Sequence, residues 1–384
     1  MKLNARKYLY SSMAILSLAA LTACSTATSS TTNQSSATVT ASSSTNSATS
    51  SNSAASTVDW SSLPTTEVSL TNEGLTITEA GTYILTGSTT GGVTVNTTGN
   101  VRIILAGATI SSQDNAALYV EAAESVAIEL QDGTSNSISD SSNHSNTDIE
   151  GALHSESDLT IYGSGSLTVK GNFQDGIVST DDLLISAGNI TVTATDDGIR
   201  GKDSMTITGG SIQVTAGGDG IKATNADDTS KGYTVITGGE ITVSAGDDGI
   251  KAESSMTIDG GTITVTDSAE ALEATNITIN GGTLDVYGAD DAINAASDLA
   301  GADIFIKVTG GDLTVAVGSG DTDAFDANGN IYVSGGTIDI TAQSAFDFDG
   351  TAEYTGGTIT VNGQKISQIT ATGPGGGGAP GGGW

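Results

Sequence analysis

The sequence predicts an all-β protein, a parallel β-helix in which about a dozen turns of roughly 22 residues stack into a solenoid. Three observations predict this fold. A four-residue cell of an acidic, a small, an apolar and a polar residue recurs along the chain, a Gly-Gly pair recurs between the cells, and apolar residues alternate with Thr and Ser in the segments between. Self-similarity at a fixed period of this size is typical of stacked repeats.

The cell fixes the position of each predicted turn. Its six clear copies begin at Asp197, Asp219, Asp248, Glu270, Asp291 and Asp323. A weaker copy precedes them at Asp175, and a degenerate one follows at Ala345. The Gly-Gly pairs stand at 209–210, 238–239, 260–261, 281–282, 310–311, 335–336 and 356–357. We call the first residues of the acidic cells the acidic column. We call the last residues of the cells the outer row, which includes Asp347 from the three-residue degenerate copy Ala345-Phe346-Asp347.

The turn that starts at Asp197 is predicted to contain three short strands. Its inward positions are apolar and its outward positions are polar, which is the period-2 pattern of strands with one buried face. The inward residues are Ile199, Met205, Ile207, Ile212, Val214 and Ala216. Gly209 and Gly210 turn the chain, because glycine accepts positive φ without steric cost. Turns must stack in register, since a slip of one residue would turn every inward side chain outward.

Composition divides the chain into five segments. We predict a lipoprotein signal peptide over 1–23, a Ser/Thr-rich linker over 24–57, an N-terminal cap with the first irregular turns over 58–150, the regular β-helix over 151–365 and a Gly/Pro-rich flexible tail over 366–384. The linker and the tail lack the apolar residues that a core requires. A cap is expected because a solenoid has an otherwise open end.

The N-terminus carries the signals of an exported lipoprotein. Three basic residues precede an apolar run from Tyr8 to Leu21, which is too short for a transmembrane helix and typical of a secretory signal. The sequence Leu21-Thr22-Ala23-Cys24 resembles the bacterial lipobox, in which lipid would be attached to Cys24, the only cysteine of the chain. We expect an exported protein anchored to the membrane at the cell surface. An ordinary signal peptide with an incidental cysteine is the alternative.

The charge of the chain restricts its partners. The full chain carries a formal net charge of −32, and removal of residues 1–23 would leave nine basic residues against 44 acidic ones. Nucleic-acid binding is excluded, since phosphate contacts need Lys and Arg. An anionic membrane surface would repel the protein, so lipid on Cys24 is the only membrane link that we expect. The carboxylate surplus favours solubility or divalent cations, and we expect a monomer.

The acidic column is the predicted calcium site. Equivalent positions of successive turns lie about 4.8 Å apart, so these carboxylates would repel one another unless a cation intervenes. The outer row supplies cations only in its first half, so calcium is expected foremost in the second half. The outer row runs Arg200, Lys222, Lys251, Glu273, Asn294, Asp326 and Asp347. The candidate metal ligands are Asp197, Asp219, Asp247, Asp248, Glu270, Glu273, Asp290, Asp291, Asp323 and Asp326.

Turn capping is the alternative for each of these aspartates. Aspartate before glycine is ordinary turn chemistry, and its side chain can accept hydrogen bonds from backbone amides at a corner. A column of such caps would need no ion.

Two insertions indicate where a ligand could bind. The spacing between cells rises to 29 residues after Asp219 and to 32 after Asp291, and the extra residues fall at the same corner, in Thr224–Tyr233 and Ala296–Phe305. Aligned insertions on a solenoid project as loops from one face. We predict a groove between the two loops, with Lys251, Glu273 and Asn294 on its floor. The candidate ligand-binding residues are Arg200, Lys222, Lys251 and Asn294.

Three stretches resemble a family of bacterial surface lipoproteins that bind carbohydrate, related to a clostridial β-helix protein that binds cellulose and pectin. They are residues 81–87 (GTYILTG), residues 197–204 (DGIRGKDS) and Lys231-Gly232-Tyr233 before the Gly-Gly pair at 238–239, within a likeness that covers roughly Val68 to Val361. The resemblance implies a right-handed parallel β-helix, calcium on acidic residues and binding of plant-wall polysaccharide. The fold and metal placement also resemble those of calcium-dependent pectate lyases.

Three functions follow from these patterns. A non-catalytic binder of plant-type polysaccharide is favoured, with acidic pectin or polygalacturonate preferred over cellulose because few aromatic residues are available as platforms for flat glucan. The outward aromatic candidates are Tyr119, Tyr287 and Tyr332. A calcium-dependent pectate lyase is the alternative, with Lys222 or Lys251 as base. A passive surface scaffold or adhesin is the third.

Overall fold

The computed structural model describes residues 58–320 and 322–372 of the chain. Cys24, the predicted signal peptide, the predicted linker and residues 373–384 of the predicted tail lie outside the described residues. The described chain consists of β-strands and one short 3-10 helix at Trp60–Ser62. None of its helices is long and apolar enough to span a membrane.

The strands stack into three parallel sheets, so the predicted parallel β-helix is confirmed. Sheet A contains Leu75–Ile77, Val93–Asn96, Leu118–Ala122, Gly151–Ser155, Asp175–Ser179, Ile199–Gly201, Ile221–Ala223, Ile293–Ala295, Asp323–Ala327 and Ser344–Phe348. Sheet B contains Thr65–Leu70, Val126–Leu130, Leu159–Gly163, Asp182–Ile185, Ser204–Ile207, Tyr233–Ile236, Phe305–Val308, Asn330–Val333 and Ala352–Tyr354. Sheet C contains Ser135–Ser139, Ser166–Gly171, Asn189–Ala194, Ser211–Thr215, Glu240–Ser244, Thr262–Asp267, Thr283–Gly288, Asp312–Val317, Thr337–Thr341 and Thr358–Val361.

Four longer strands bend at a corner and join two sheets. Ile250–Ile258 and Leu272–Ile279 run from sheet A into sheet B, and Gly81–Thr89 and Val101–Ser111 run from sheet B into sheet C. The two-residue strand Gln364–Lys365 pairs antiparallel with the last strand of sheet C. The turns before residue 150 belong to the same three sheets as the regular repeats, so one stack runs through the described chain.

The inward side chains form one continuous apolar core. Equivalent residues of successive turns are register partners, as Ile199, Ile221 and Ile250 are in sheet A. Near the C-terminal end the same column changes to Phe325 and Phe346, whose ring centroids are 5.4 Å apart. Residues that share a face in every turn therefore stack along the whole solenoid, and this register also sets the spacing of the charged residues outside.

The second glycine of each Gly-Gly pair turns the chain between sheets B and C. Gly282 has φ of +96°, a conformation that side chains with a Cβ seldom adopt. A Cβ at this position would also lie 3.0 Å from the carbonyl oxygen of Gly261 in the turn below. Both constraints recur because the pairs stack on one another.

Gly282→Ala is therefore expected to lower the free energy of unfolding by roughly 1–3 kcal/mol. Chemical denaturation followed by circular dichroism would measure the loss. The control is Thr283→Ala at the exposed neighbouring position, which is expected to change the free energy of unfolding by less than about 0.5 kcal/mol. Equal effects of the two substitutions would contradict a backbone origin.

The residues after the last strand of sheet C lie against the final turn. Ile366 and Ile369 pack against the apolar core, and the backbone N–H of Thr372 donates to the carbonyl oxygen of Phe346 at 2.9 Å. The first residues of the segment predicted as a flexible tail thus cover the apolar C-terminal end of the stack. Such cover is needed because a solenoid end exposes its core and its strand edges.

Candidate functional site

The acidic column lies at the corner that precedes sheet A. Its buried first members are Asp175, Asp197, Asp219 and Asp248. The backbone N–H of each later member donates to Oδ1 of the member before it, with N···O distances of 3.1, 2.9 and 2.9 Å in chain order. The same bond joins Asp323 N to Asp291 Oδ1 at 2.7 Å. Turn capping thus uses one oxygen of these carboxylates, and the second oxygen is available to a cation.

In the first half of the column these second oxygens pair with the outer row. Lys222 Nζ lies 3.0 Å from Asp197 Oδ2 and 2.7 Å from Asp219 Oδ2. Arg200 makes the equivalent contact one turn earlier, with its guanidinium 3.0 Å from Asp175 Oδ2. Burial alone would lower the pKa of Lys222, but the two aspartates more than offset this and raise the pKa overall. The structure brings these predicted residues together as ion pairs, and the lysine stays charged.

Glu150 is a partner that the sequence pattern did not identify. Its carboxylate also pairs with Arg200, two turns along the outer face of sheet A. Glu150 stands just before the strand Gly151–Ser155, whose first residue occupies the acidic-column position but is glycine. The acid is thus displaced by one residue, and a search for the four-residue cell could not find it.

Lys251 marks the midpoint of the outer row. Its Nζ lies 2.6 Å from Asp248 Oδ2 and 2.8 Å from Glu273 Oε2 in the next turn. Burial lowers the pKa of Lys251, but the hydrogen bonds to these two carboxylates raise it overall to far above its ordinary value. Burial also raises the pKa of Asp248 to about 6 and that of Glu273 to about 7. The ammonium group of Lys251 therefore offsets the repulsion between carboxylates of two successive turns.

The capping pattern is interrupted at this midpoint. Oδ1 of Asp248 is buried, yet no donor among the described residues bonds to it. Oxygens of Asp248, Glu270 and Glu273 all lie within 4.8 Å of one another. Because a buried acceptor without a donor is costly, this oxygen calls for a proton or a cation that the neighbouring acids could share.

Beyond Lys251 the outer row contains no basic residue. Glu273, Asn294 and Asp326 are consecutive register partners in sheet A, so they lie side by side on its outer face. The side-chain oxygen Oδ1 of Asn294 is buried, and within the described chain no donor bonds to it. The amide oxygen of Asn294 and the carboxylate oxygens on either side of it are all electron-pair donors without a proton to donate. Such oxygens are the ligands that calcium requires.

Asp291 and Asp326 are partly buried carboxyl groups whose pKa values are both raised, mainly by burial. Burial, followed by the charges of Asp291, Asp323 and Asp347, raises the pKa of Asp326 to about 7. Burial also raises the pKa of Asp291 to about 6. The hydrogen bond from the Asp323 backbone opposes this rise, and the charges of Asp290 and Asp323 add to it. Carboxyl groups in this state share a proton near neutral pH or accept a cation in its place. We call Glu270, Glu273, Asp291, Asn294 and Asp326 the acidic segment.

The remaining candidates lie at the margins of these groups. Asp247 is exposed, and one of its oxygens lies within 4.8 Å of oxygens of Asp219 and Asp248. Asp290 is exposed beside Asp291. Asp323 is buried and accepts a hydrogen bond from the Ser344 hydroxyl. These three residues therefore contribute charge around the acidic segment more than they line it.

Both insertions leave the stack at the same corner, as predicted. They follow Ala223 and Ala295, which occupy equivalent positions at the end of sheet A strands. The first insertion folds back on the turn before it, where the backbone N–H of Gly232 donates to Asp203 O at 2.7 Å. Two turns without an insertion stand between them, those of Lys251 and Glu273. The loops thus flank the part of the outer row where cations give way to carboxylates.

A depression on the outer face of sheet B was not predicted. It has a volume of about 410 Å³ and lies where the second insertion ends. Its lining residues are Asp303, Phe305, Lys307, Tyr332, Val333, Ser334, Glu353 and Thr355. One signal of this site is present in the sequence, because Tyr332 is one of the outward aromatic candidates. Its partner Phe305 comes from the previous turn, and only the stacking of turns brings the two rings together.

The fold and the site define a β-helix protein whose outer sheet A carries a column of carboxylates, neutralised by basic residues along only half of its length. Residues 71–324, well over half of the chain, match the family described as carbohydrate-binding domain-containing proteins. The chain belongs to this family, and the resemblance proposed from the sequence motifs is confirmed.

The solved structure of the polysaccharide lyase-like protein from C. thermocellum, a gadolinium derivative, is 24% identical in sequence, with alignment over 78% of this chain and 94% of that chain and a TM-score of 0.44. No curated protein shows significant sequence similarity to this chain.

Proposed function

We propose that the protein is a non-catalytic binder of acidic plant-type polysaccharide, with polygalacturonate preferred over cellulose, and that calcium assists the binding. The acidic segment is the observation that supports this proposal. Five oxygen-bearing side chains lie together there, and the outer row offers them no lysine or arginine beyond Lys251. The buried Asn294 oxygen, which accepts no hydrogen bond from the described residues, supports a cation site more specifically than the negative charge alone does.

The residues of the acidic segment fit calcium by their chemistry. Calcium takes six to eight oxygen ligands in flexible geometry and accepts carboxylates and amide oxygens from adjoining turns. Glu273, Asn294 and Asp326 would provide ligands from three consecutive turns, with Glu270 and Asp291 beside them. Bound calcium would supply positive charge that a uronate carboxylate can approach. This accounts for how so acidic a protein could bind an acidic polymer.

Arg200, Lys222 and Lys251 have a secondary part in this proposal. Each contacts two carboxylates of the protein, and only about a quarter of each side chain is exposed. A uronate would have to compete with these partners for a direct ion pair. We therefore assign recognition of the acidic polymer mainly to calcium on the acidic segment.

The same ion pairs argue against a pectate lyase. β-Elimination requires a base that is neutral when it removes the proton. The pKa values of Lys222 and Lys251 are both raised by their carboxylate partners, so both side chains stay protonated at neutral pH. A passive scaffold is the remaining alternative, and an absence of carbohydrate binding would favour it.

Attachment to the cell surface through lipid on Cys24 is part of the same proposal. It is supported by Leu21-Thr22-Ala23-Cys24 after a short apolar run. Mass spectrometry of the protein from membranes is expected to show diacylglyceryl on Cys24 as the first residue. A Cys24→Ser variant is expected to move to the soluble fraction, and its retention in the membrane would contradict the anchor.

Calorimetric titration of residues 58–372 with galacturonate oligosaccharides too short to gel tests the proposed function. Binding is expected in calcium and is expected to be lost in EGTA, with no change in absorbance at 232 nm. A rise at 232 nm would show unsaturated product and replace the binder with a lyase. An absence of heat in both buffers would contradict binding of acidic carbohydrate.

A further inference from the structure

The depression on sheet B is a built cavity on a different face from the acidic segment. Its lining residues come from three consecutive turns, because Lys307, Tyr332 and Glu353 are register partners on the outer face of the sheet. Its volume of about 410 Å³ falls within the range of small-ligand pockets, roughly 300–1,000 Å³. The cavity is open to solvent, so a segment of a long polymer can enter it from the side.

Two aromatic rings supply its apolar surface. Phe305 and Tyr332 meet edge to face, with ring centroids 6.3 Å apart and an interplanar angle of 61°. Both side chains are partly exposed, although Phe305 has no polar group that would favour exposure to water. An aromatic face that remains accessible inside a cavity is suited to packing against the C–H face of a sugar ring.

The polar groups around the rings fit a neutral sugar better than an acidic one. Lys307 and Glu353 flank Tyr332 in the turns on either side, and Asp303 lies at the rim. These three residues offer donors and acceptors to hydroxyl groups. Two carboxylates against one ammonium give a net negative site, which would repel a uronate. A flat crystalline surface is also a poor fit, because the site is concave.

We propose that this depression is a second carbohydrate site, which binds neutral hexopyranose units without calcium. This proposal differs from the proposed function because the ligand is neutral and its binding needs no calcium. It rests on the proposed function in one respect, which is that the protein binds carbohydrate. The second insertion starts after Ala295 of sheet A and ends at Phe305 of sheet B, so it borders both sites. A polysaccharide with neutral and acidic stretches could thus be held on two faces.

The test is calorimetric titration of residues 58–372 in EGTA with neutral gluco-, manno- and galacto-hexasaccharides. At least one is expected to bind, and Tyr332→Ala is expected to weaken that binding by at least about tenfold, the usual loss when a central aromatic contact is removed. Tyr287→Ala is the matched control, because Tyr287 lies on sheet C, away from the depression. Its affinity is expected to equal that of the unmodified protein.

Three results would overturn the proposal: no binding of any neutral hexasaccharide in EGTA, equal affinities for Tyr332→Ala and the unmodified protein, or equal losses in Tyr332→Ala and Tyr287→Ala. Thermal unfolding of each variant controls for loss of the fold. Lys307→Ala is a second test variant at an exposed position. This replacement is expected to weaken binding of the neutral hexasaccharide while the protein stays folded. Galacturonate binding in calcium is measured on the same variants. Its failure would contradict the proposed function alone, and its persistence in Tyr332→Ala would show that the two sites are separate.

Discussion

Replacing Lys251 with methionine is expected to lower the free energy of unfolding by about 3 kcal/mol at pH 8, because it leaves buried charge without a partner. The lysine contacts Asp248 Oδ2 and Glu273 Oε2, and Asp248 is 1% exposed. Methionine retains most of the apolar volume of lysine. The loss would therefore come from unpaired carboxylates more than from an empty cavity.

Acidification is expected to reduce this loss. Carboxyl pKa values that are raised in the folded state give stability that is fully present below the unfolded pKa and is lost as pH rises through the folded pKa. Asp248 and Glu273 already have folded pKa values of about 6 and about 7 with the lysine in place. Without it both values would rise further, so the deficit of Lys251→Met should be largest at pH 8 and small near pH 5.

Urea denaturation at the two pH values measures this effect. Lys170→Met is the control, because this replacement removes the same charge. Lys170 is exposed and forms no ion pair in the described chain. It is expected to change the free energy of unfolding by less than about 0.5 kcal/mol at either pH. An equal deficit of Lys251→Met at pH 5 and pH 8 would show that the lysine acts through packing instead of charge.

Asp326→Asn is expected to have opposite effects with and without calcium. In EGTA at pH 8 the variant should be more stable than the unmodified protein by about 1 kcal/mol, after allowance for solvent screening, because one of several repelling carboxylates is removed. In millimolar calcium the order should reverse, since the unmodified protein gains binding free energy that the variant lacks. Thermal unfolding in the two buffers measures both effects.

The sign of the pH dependence follows from the raised pKa values of Asp291, about 6, and Asp326, about 7. Both lie above the ordinary value, so without calcium the folded state holds protons more tightly than the unfolded state does. Stability in EGTA should therefore fall as pH rises from 4 to 8, and it should fall less in Asp326→Asn. Calcium should bind more weakly at pH 5 than at pH 8, because protons compete for the same oxygens.

Asp285→Asn separates a local effect from a change in net charge. Asp285 is exposed on sheet C and lies outside the acidic column and the outer row. Its replacement removes one negative charge, as Asp326→Asn does, and is expected to leave the calcium-dependent stabilisation unchanged. If both variants lost that stabilisation equally, calcium would be acting on the overall charge of the protein and not on the acidic segment.

The repeat itself determined the fold and much of the site. The recurring cell and the Gly-Gly pairs impose one register on all turns, so residues at equal positions must lie side by side. For this reason Arg200, Lys222 and Lys251 could be placed in one row with Glu273 and Asn294 from the sequence alone. The shared corner of the two insertions followed from the same spacing, since both come directly after a cell.

Contacts between unlike positions were decided only by the tertiary structure. The ion pair between Glu150 and Arg200 spans two turns and starts from a degenerate cell. Asp248 Oδ1 receives no hydrogen bond from the described residues, and this depends on side-chain directions where Asp gives way to Glu. The pairing of Phe305 with Tyr332 arises because the second insertion returns the chain to sheet B beside the next turn. A periodic sequence specifies which positions stack, whereas the hydrogen bonds and cavities between them depend on side-chain conformations and loop paths that are not periodic.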